Sequence, residues 1–403
     1  MTQVFYDFEG GTPSHLRGQL KTLVSPGGTG AQTQHDGTGN LTRLFWEQDG
    51  RTAQMEYTYF VPASGGALLA AVVRSENGQP VERAGYEYYT GTEEGGGART
   101  LQSVRRELWN PNTGAWDLVG RMQYRYWKPT TPDASTNRVK MIFGAAAVSN
   151  AQRAGLDIAG MSDAHLLPYS DNYFEYDGEG RVSRQLSRGG QYEQLFSYEV
   201  ATTAPSSPNE WAVKMDEELP DGTTNTFYSN AVGAGIAKLT KDSEGTLLAA
   251  RSVEYNSDYK ITQIATPSAV QSVTEPAGGG DSLVVNYYAN QGLVEKFANY
   301  ASTNPGTGAV KNYIQTKSLS EGVSGTAVPQ EGFTYAANAG NIGETSVTLY
   351  PTATRSTYPT GDTGAPLVAA AYSRIYWDDG AGGTSQQVKQ ETVTYPAVSE
   401  SQN

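Results

Sequence analysis

Segments in which apolar and polar residues alternate strictly recur along the whole chain. Clear examples are residues 55–61, 121–127 and 388–395. Successive side chains of a β-strand point to opposite faces, so this pattern is typical of strands that bury one face. Tyr, Val and Thr fill many of the positions, and strands favour these residue types. The pattern predicts a protein made almost entirely of β-strands.

Short turns rich in Gly, Asp and Asn separate many of these segments. Such residues tolerate the positive φ angles that tight hairpin loops need. Five combinations of strand, turn and strand can be identified, and hairpins of one design in one chain indicate a repeat protein. A single hairpin is marginally stable in water, so the units must stack on one another. The turns are at residues 48–51, 110–114, 177–180, 241–245 and 378–383.

We therefore predict an all-β fold of repeated antiparallel β-hairpins wound into a spiral, solenoid-like sheet. Residues 1–403 are expected to form a single continuous array. Residues 145–167 are rich in Ala at helical spacing, which predicts one or two short helices there. Gly155 and Gly160 weaken that helical prediction by about 1 kcal/mol each. Exposed loop insertions rich in Gly, Pro, Ser and Thr are predicted at residues 62–66, 92–97, 203–209, 275–281, 303–308 and 358–366.

Composition excludes several classes of protein. The 46 Gly residues are far too few for collagen, in which every third residue is Gly. The chain has no Cys, which excludes a disulfide scaffold and a zinc–thiolate site. Its 26 Tyr, 10 Phe and 6 Trp residues argue against disorder. The net charge of −13 argues against binding to nucleic acid, whose phosphates attract Lys and Arg.

Signals for the cellular compartment are sparse. No apolar run reaches the length of about 18 residues that a membrane-spanning helix needs. Residues 1–7 contain neither a basic region nor an apolar core, so we expect no secretory signal in this sequence. The absence of Cys fits a reducing cytoplasm and equally a surface protein built without disulfides.

The best-formed hairpin contains the sequence YDGEGRV at residues 176–182. Tyr176, Asp177, Gly180, Arg181 and Val182 match the core of the Rhs/YD repeat, Tyr-Asp-x-x-Gly-Arg followed by a β-branched residue or Leu. The segment therefore resembles a repeat of that family, and a further tyrosine, at position 198, lies at the typical repeat spacing. Degenerate copies keep part of the motif at Trp46, Asp49, Gly50 and Arg51, at Tyr6 and Asp7, and in the segments that begin at Tyr255 and Tyr376.

The resemblance extends in style over the whole chain and is greatest to the very long Rhs-like proteins of planctomycete-type bacteria. Those proteins have loop insertions and strands that end in Tyr-Pro or Leu-Pro, as residues 394–396 do here. It implies an extracellular or cell-surface β protein whose repeats wind into a spiral sheet, a YD shell that can close around a toxin. The self-cleavage core and the toxin of such members are not visible in this sequence, which favours a repeat segment acting alone.

Each residue type in the motif has a physical reason to be there. Tyr rings stack across neighbouring strands and contribute about 0.5–1.5 kcal/mol per aromatic pair beyond their burial. Asp177 can accept hydrogen bonds from the turn backbone, and Gly180 supplies a positive φ. Arg181 is suited to forked hydrogen bonds with a carboxylate or carbonyl group of the neighbouring unit.

Candidate catalytic residues are few. The three histidines, His15, His35 and His165, lie far apart and none has metal-ligand spacing to another. Ser162 sits in a segment that resembles a nucleophile turn but lacks its second Gly, so we expect it to cap a short helix with Asp163 beside it.

Acidic pairs and aromatic stripes allow other interpretations of the function. Carboxylates cluster at residues 93–94, 216–218 and 378–379, and such pairs serve glycoside hydrolysis or Ca²⁺ binding. The acidic segments at residues 177–180 and 378–380 are better interpreted as turns. We therefore expect no cofactor, with Ca²⁺ in these loops as the one alternative. The glycine-rich stretches lack the Lys of a phosphate loop and also predict turns. Aromatic side chains that could form a sugar-stacking platform, or simply pack between strands, are Trp109, Trp116, Tyr124, Tyr126 and Trp127.

We expect a non-enzymatic structural repeat module that assembles as a fibre, stalk or shell wall, outside a bacterial cell or at its surface. One alternative is an adhesion module whose exposed Tyr and Trp bind glycans or a partner cell. Others are a fragment of a toxin-encapsulating Rhs cocoon and, ranked last, a glycoside hydrolase or lyase. The expected partners are further copies of the chain or other segments of a longer chain, with neither nucleic acid nor a membrane span.

Overall fold

The computed structural model describes residues 2–5, 20–24, 30–48, 50–63, 65–128, 137–342, 345–359, 361, 367–378 and 384–395. Strands make up 55% of the chain and helices 6%, so the predicted all-β fold is confirmed. The chain divides into two compact units, Met1–Leu195 and Phe196–Asn403. The predicted continuity of one array through both units, and its spiral winding, stay predictions.

Unit 1 is an antiparallel meander in which each strand pairs with the next one along the chain. The alternating segments 55–61 and 121–127 fall largely within its strands β5 and β9. The strands are β1 Thr2–Phe5, β2 Leu20–Val24, β3 Gly30–His35, β4 Leu41–Gln48, β5 Arg51–Phe60, β6 Leu68–Glu76, β7 Gln79–Tyr88, β8 Leu101–Asn110, β9 Ala115–Tyr126, β10 Val139–Phe143, β11 Asn172–Tyr176, β12 Val182–Ser187 and the beginning of β13 Tyr192–Val200.

The helical insertion of unit 1 lies where the Ala-rich segment predicts it. It comprises α1 Ala145–Arg153, α2 Asp163–Leu166 and a 3₁₀ turn, Leu167–Tyr169. Small side chains let α1 approach the sheet closely, and Ala147, Val148 and Ala151 pack with Met141 and Phe143 of β10 into one buried cluster. This cluster forms the apolar core of unit 1.

One predicted loop differs from expectation. Residues 92–97 were expected to be exposed because of their glycines, but Gly95–97 are buried. The ring of Tyr89 lies against Gly95 and Gly96 so closely that a Cβ at either position would come within 3.0 Å of it. The amide of Gly95 also donates to the carbonyl of Ala159, at 3.0 Å. These glycines therefore permit close packing on the helical insertion.

Unit 2 contains a second meander of antiparallel strands, in the order β14–β18, β21–β23 and β26–β28. Two hairpins leave that order, namely β19 with β20 and β24 with β25. The strands are β14 Val213–Glu218, β15 Thr224–Ser229, β16 Gly235–Lys241, β17 Leu247–Tyr255, β18 Ile261–Ala265, β19 Val270–Thr274, β20 Val284–Tyr287, β21 Leu293–Asn299, β22 Ile314–Glu321, β23 Val328–Tyr335, β24 Asn338–Ile342, β25 Thr345–Leu349, β26 Thr352–Thr357, β27 Leu367–Asp378 and β28 Thr384–Thr394.

The core of unit 2 lies on one face of its sheet. Tyr228, Leu239 and Ala250 project from β15, β16 and β17 into a buried cluster, and side chains of the β19–β20 hairpin pack against it. The Trp211 ring meets the Tyr228 ring edge-on, with centroids 5.9 Å apart. Its Nε1 donates to the carbonyl of Asp281 at 2.8 Å, which holds a loop over the core. Within the described residues, no helix is both long and apolar enough to cross a bilayer.

Candidate functional site

The YDGEGRV segment forms a closed hairpin turn between β11 and β12. The amide of Asp177 donates to the carbonyl of Arg181, and Gly180, at φ 77°, donates back to Asp177, both at 2.9 Å. Asp177 Oδ1 accepts from the amides of Glu179 and Arg181 at 3.0 and 2.8 Å. Arg181 Nε donates to Asp177 Oδ2 at 2.7 Å. The Asp and Arg of the motif therefore hold their own turn, and the expected contact of Arg181 with a neighbouring unit stays a prediction.

Within the described residues, the same turn recurs four more times, in both units. Each begins with Asp or Asn, whose Oδ1 accepts from the amides two and four residues later. The residue three positions after this Asp or Asn has a positive φ, and a strand begins five positions after it. We call this arrangement the Asx turn; besides Asp177 it begins at Asp36, Asn230, Asp242 and Asn256.

Removing the turn side chain should destabilise unit 1. We expect Asp177→Ala to lower the free energy of unfolding by about 1–2 kcal/mol, because two backbone donors and Arg181 lose their acceptor. Desolvation raises the pKa of Asp177, but the hydrogen bonds from Arg181 outweigh this effect and hold the pKa below its ordinary value. Asp177→Asn keeps the capping oxygen and should cost less than half as much. Urea denaturation measures both, and equal losses would mean that the ion pair, not the cap, stabilises the turn.

Tyrosine hydroxyls join neighbouring strands beside these turns. In four places a Tyr near the end of one strand donates to the carbonyl of the first residue of the preceding strand, which links the two strand ends. Two of these tyrosines, Tyr176 and Tyr255, directly precede an Asx turn. The four bonds are Tyr59 to Leu41, Tyr176 to Val139, Tyr255 to Gly235 and Tyr335 to Ile314, at 2.7–2.9 Å.

These hydroxyls should make the protein sensitive to alkali. Burial, with a smaller contribution from Tyr300 and Tyr313, raises the pKa of Tyr335 to about 12 from the ordinary 10.0. A raised folded-state pKa contributes stability that is complete below pH 10 and is lost as the pH rises towards 12. We therefore expect unfolding in that window, followed by circular dichroism and tyrosinate absorbance. Tyr335→Phe should shift the alkaline midpoint upward, and no shift would contradict a role for this group.

Of the degenerate copies, the segment that begins at Tyr255 forms an Asx turn at Asn256, whereas the others adopt other geometry or lie outside the described residues. Trp46 is half-buried in β4, Gly50 (φ 71°) lies in the short loop between β4 and β5, and Arg51 is the first residue of β5, where it pairs with Gln48. That loop is too short for an Asx turn. Asp49, Tyr6, Asp7 and His15 lie outside the described residues. Val182 begins β12, and Tyr198 is half-buried in β13.

Charged side chains cover one face of the sheet in unit 1. Direct pairing across β4 to β9 places on this face Arg43, Glu56, Arg83, Glu87, Arg105, Glu107 and Arg121, which we call the arginine face. Arg83 Nε donates to Glu107 Oε2 at 2.6 Å, and this bond is the main reason that the pKa of Glu107 is lowered. The Glu87 carboxylate lies 3.5 Å from both Arg105 and Arg121.

The arginine face carries hydrogen-bond donors without acceptors. The Nε atoms of Arg43, Arg105 and Arg121 are buried and make no hydrogen bond among the described residues, although a Glu87 carboxylate oxygen lies 3.5 Å from Arg105 Nε. Such donors cost about 1–3 kcal/mol each unless an acceptor is supplied. Beside them, the rings of Trp109 and Trp116 meet edge-on at 5.3 Å, and the Arg83 guanidinium lies 4.9 Å from the Trp116 ring. The sequence identifies the tryptophans as candidate binding residues but not the arginines, because the arginines share a face only through the strand register.

The candidate catalytic serine is part of a local contact. Ser162 stands at the N-cap position of α2, but its hydroxyl makes no capping bond and lies 2.8 Å from His165 Nδ1 instead. Our prediction of a side-chain cap was wrong, because the histidine three residues on competes for the hydroxyl. Among the described residues, no group of three or more His, Asp and Glu side chains is arranged to hold a metal ion.

Comparisons with known proteins gave weak structural similarity alone. No family model and no curated protein sequence matches the chain. Among solved structures, it is similar to the crystal structure of TcdB2-TccC3, an Rhs/YD-repeat toxin component, at 10% identity and a TM-score of 0.27. The match covers 95% of this chain but only 22% of that one. A similarity of that degree supports no conclusion about the fold or function of this chain.

Proposed function

We propose that the chain is a non-enzymatic structural module of an Rhs/YD-like protein, placed outside the cell or at its surface. The recurrence of the Asx turn in both units carries this proposal. Its Asp or Asn is bonded to its own turn, and tyrosines beside the turns bond to neighbouring strands. The motif residues thus serve to build the sheet. A repeated sheet of this kind is suited to a fibre, stalk or shell wall.

Self-association is the consequence to test. Leu118 and Val119 of β9 are 59% and 52% exposed, and apolar side chains on a sheet favour contact with another copy. We expect light scattering and electron microscopy of the purified chain to show concentration-dependent, elongated assemblies. A double substitution, Leu118→Lys with Val119→Lys, should reduce assembly, whereas Val232→Lys in an exposed turn should not. A compact monomer at every concentration would overturn the proposal.

A glycan-binding role is the second candidate, and the Trp109–Trp116 pair beside the arginine face favours it. Aromatic rings next to guanidinium groups suit the stacking of a sugar ring and hydrogen bonding to its oxygens. A glycan array should then detect binding that Trp116→Ala abolishes and that Trp46→Ala, on another strand, preserves. A hydrolysis screen of any glycan that binds separates this role from a glycoside hydrolase or lyase.

A further inference from the structure

Unit 2 has a cavity on the face of its sheet opposite the core. Side chains alternate along a strand, so Met215 and Phe227 point away from the side on which Tyr228 is buried. The cavity measures about 490 Å³, and the apolar or aromatic residues of its lining include Tyr198, Val213, Met215, Phe227 and Val253. We call it the Phe227 cavity. Its volume lies within the range of small-molecule sites, which are mostly apolar with a few placed polar groups.

Two cations stand side by side at this cavity. Lys238 on β16 pairs directly with Arg251 on β17, and both line the cavity. Like charges directly opposite each other on neighbouring strands are destabilising. Among the described residues, neither Lys238 nor Arg251 forms an ion pair with a carboxylate. Glu217 lies on the same face of the sheet, two residues along β14 from Met215, and it accepts a hydrogen bond from Asn225 at 3.1 Å.

The aromatic floor accommodates part of this charge but not all of it. Phe227 pairs directly with Lys238, and the Lys238 Nζ lies 5.1 Å from the centre of the Phe227 ring. Met215, Phe227, Lys238 and Arg251 therefore form one row across four strands, apolar at one end and cationic at the other. A ligand lying along that row meets apolar surface first and then positive charge.

We propose that the Phe227 cavity binds a small amphipathic anion, a carboxylate on an apolar chain. The chain buries against Met215, Val253 and the Phe227 ring. The carboxylate accepts charge-assisted hydrogen bonds from Lys238 and Arg251 and removes the repulsion between them. A neutral amphiphile makes the apolar contacts only, and a cationic one adds to the repulsion. This site is independent of the scaffold role, so its failure leaves the proposed function untouched.

Decanoate is a suitable probe, titrated calorimetrically into the full chain below its micelle concentration, with decanol and decyltrimethylammonium as matched controls. We expect saturable binding of decanoate that weakens as salt is added. Lys238→Gln and Arg251→Gln should each weaken it about tenfold, the loss of one charge-assisted contact. Lys260→Gln removes the same charge from an exposed turn outside the cavity and should leave binding unchanged.

Thermal unfolding gives a second readout that does not depend on calorimetry. Decanoate should raise the melting temperature of the wild type and of Lys260→Gln, but not that of the Lys238→Gln, Arg251→Gln double variant. Circular dichroism establishes that each variant is folded, and Lys238→Gln alone still tests the proposal if the double variant is not. Equal binding of decanol and decanoate, the absence of saturable binding, or equal effects of all three substitutions would overturn the proposal.

Discussion

Replacing Gly292 by alanine should cost unit 2 about 3 kcal/mol or more of its free energy of unfolding. Gly292 immediately precedes β21 and has a φ of 78°, which an L-residue adopts only with strain. An added Cβ would come within 3.0 Å of the backbone of Ser268 and Ala269. Ala269 is fully buried in the core of unit 2, so this backbone cannot withdraw without opening that core.

Gly245 provides the matched control for this substitution. It has a φ of 83°, but an added Cβ there would meet no atom within 4 Å. Gly245→Ala should therefore cost only the strain of the left-handed backbone, about 1–2 kcal/mol. Urea denaturation followed by tryptophan fluorescence, to which Trp211 in the same core contributes, measures both variants. If the two substitutions cost the same, the close approach of Gly292 to Ser268 contributes nothing to stability.

Much of the architecture of the chain could be predicted from local pattern alone. Alternation identified strands because the side-chain period of a strand is a property of a few consecutive residues. The predicted turns at residues 177–180 and 241–245 are Asx turns, since Asp, Asn and Gly act within their own loop. The spacing Asp/Asn-x-x-Gly would also have found Asp36 and Asn230. It would have missed Asn256, where Tyr259 takes the positive φ, at 57°.

Features that depend on register could not be read from the sequence. Arg105 and Arg121 share a face only because β8 and β9 pair with one particular offset, with a bulge beside Arg106. Likewise, the burial of Gly95 and Gly96 against Tyr89 depends on a contact between loop and ring that no local pattern encodes. The Lys238–Arg251 pair is a third case, since the two residues lie 13 positions apart and meet through the β16–β17 register. Candidate binding features arise from such non-local pairings, whereas the turns that build the fold are local.

The second large effect is expected at Arg125, which ties the helical insertion to the sheet of unit 1. Arg125 is only 2% exposed. Its Nε donates to Asp163 Oδ1 at 3.0 Å, and its guanidinium also donates to the carbonyls of Ile158 and Ala159. Arg125→Met removes all of these bonds and takes away the side-chain donor to the Ile158 carbonyl, whereas Ala159 keeps the amide of Gly95 and Asp163 keeps Lys140. We expect a loss of about 3–5 kcal/mol, because several hydrogen bonds made by one charged group are lost together.

Lys140 provides the matched control for Arg125, because it also pairs with Asp163 but makes no bond to the two carbonyls. It contacts the other oxygen of Asp163 and lies 3.7 Å from the Trp127 ring, but its side chain is more exposed than that of Arg125. In Lys140→Met the carboxylate keeps Arg125 and both carbonyls keep their donor, so we expect a loss of about 1 kcal/mol. Hydrogen exchange should show residues 145–169 losing protection in Arg125→Met before the rest of unit 1, and little change in Lys140→Met. Equal losses in the two variants would mean that the arginine bonds to the carbonyls add nothing beyond the contact with Asp163.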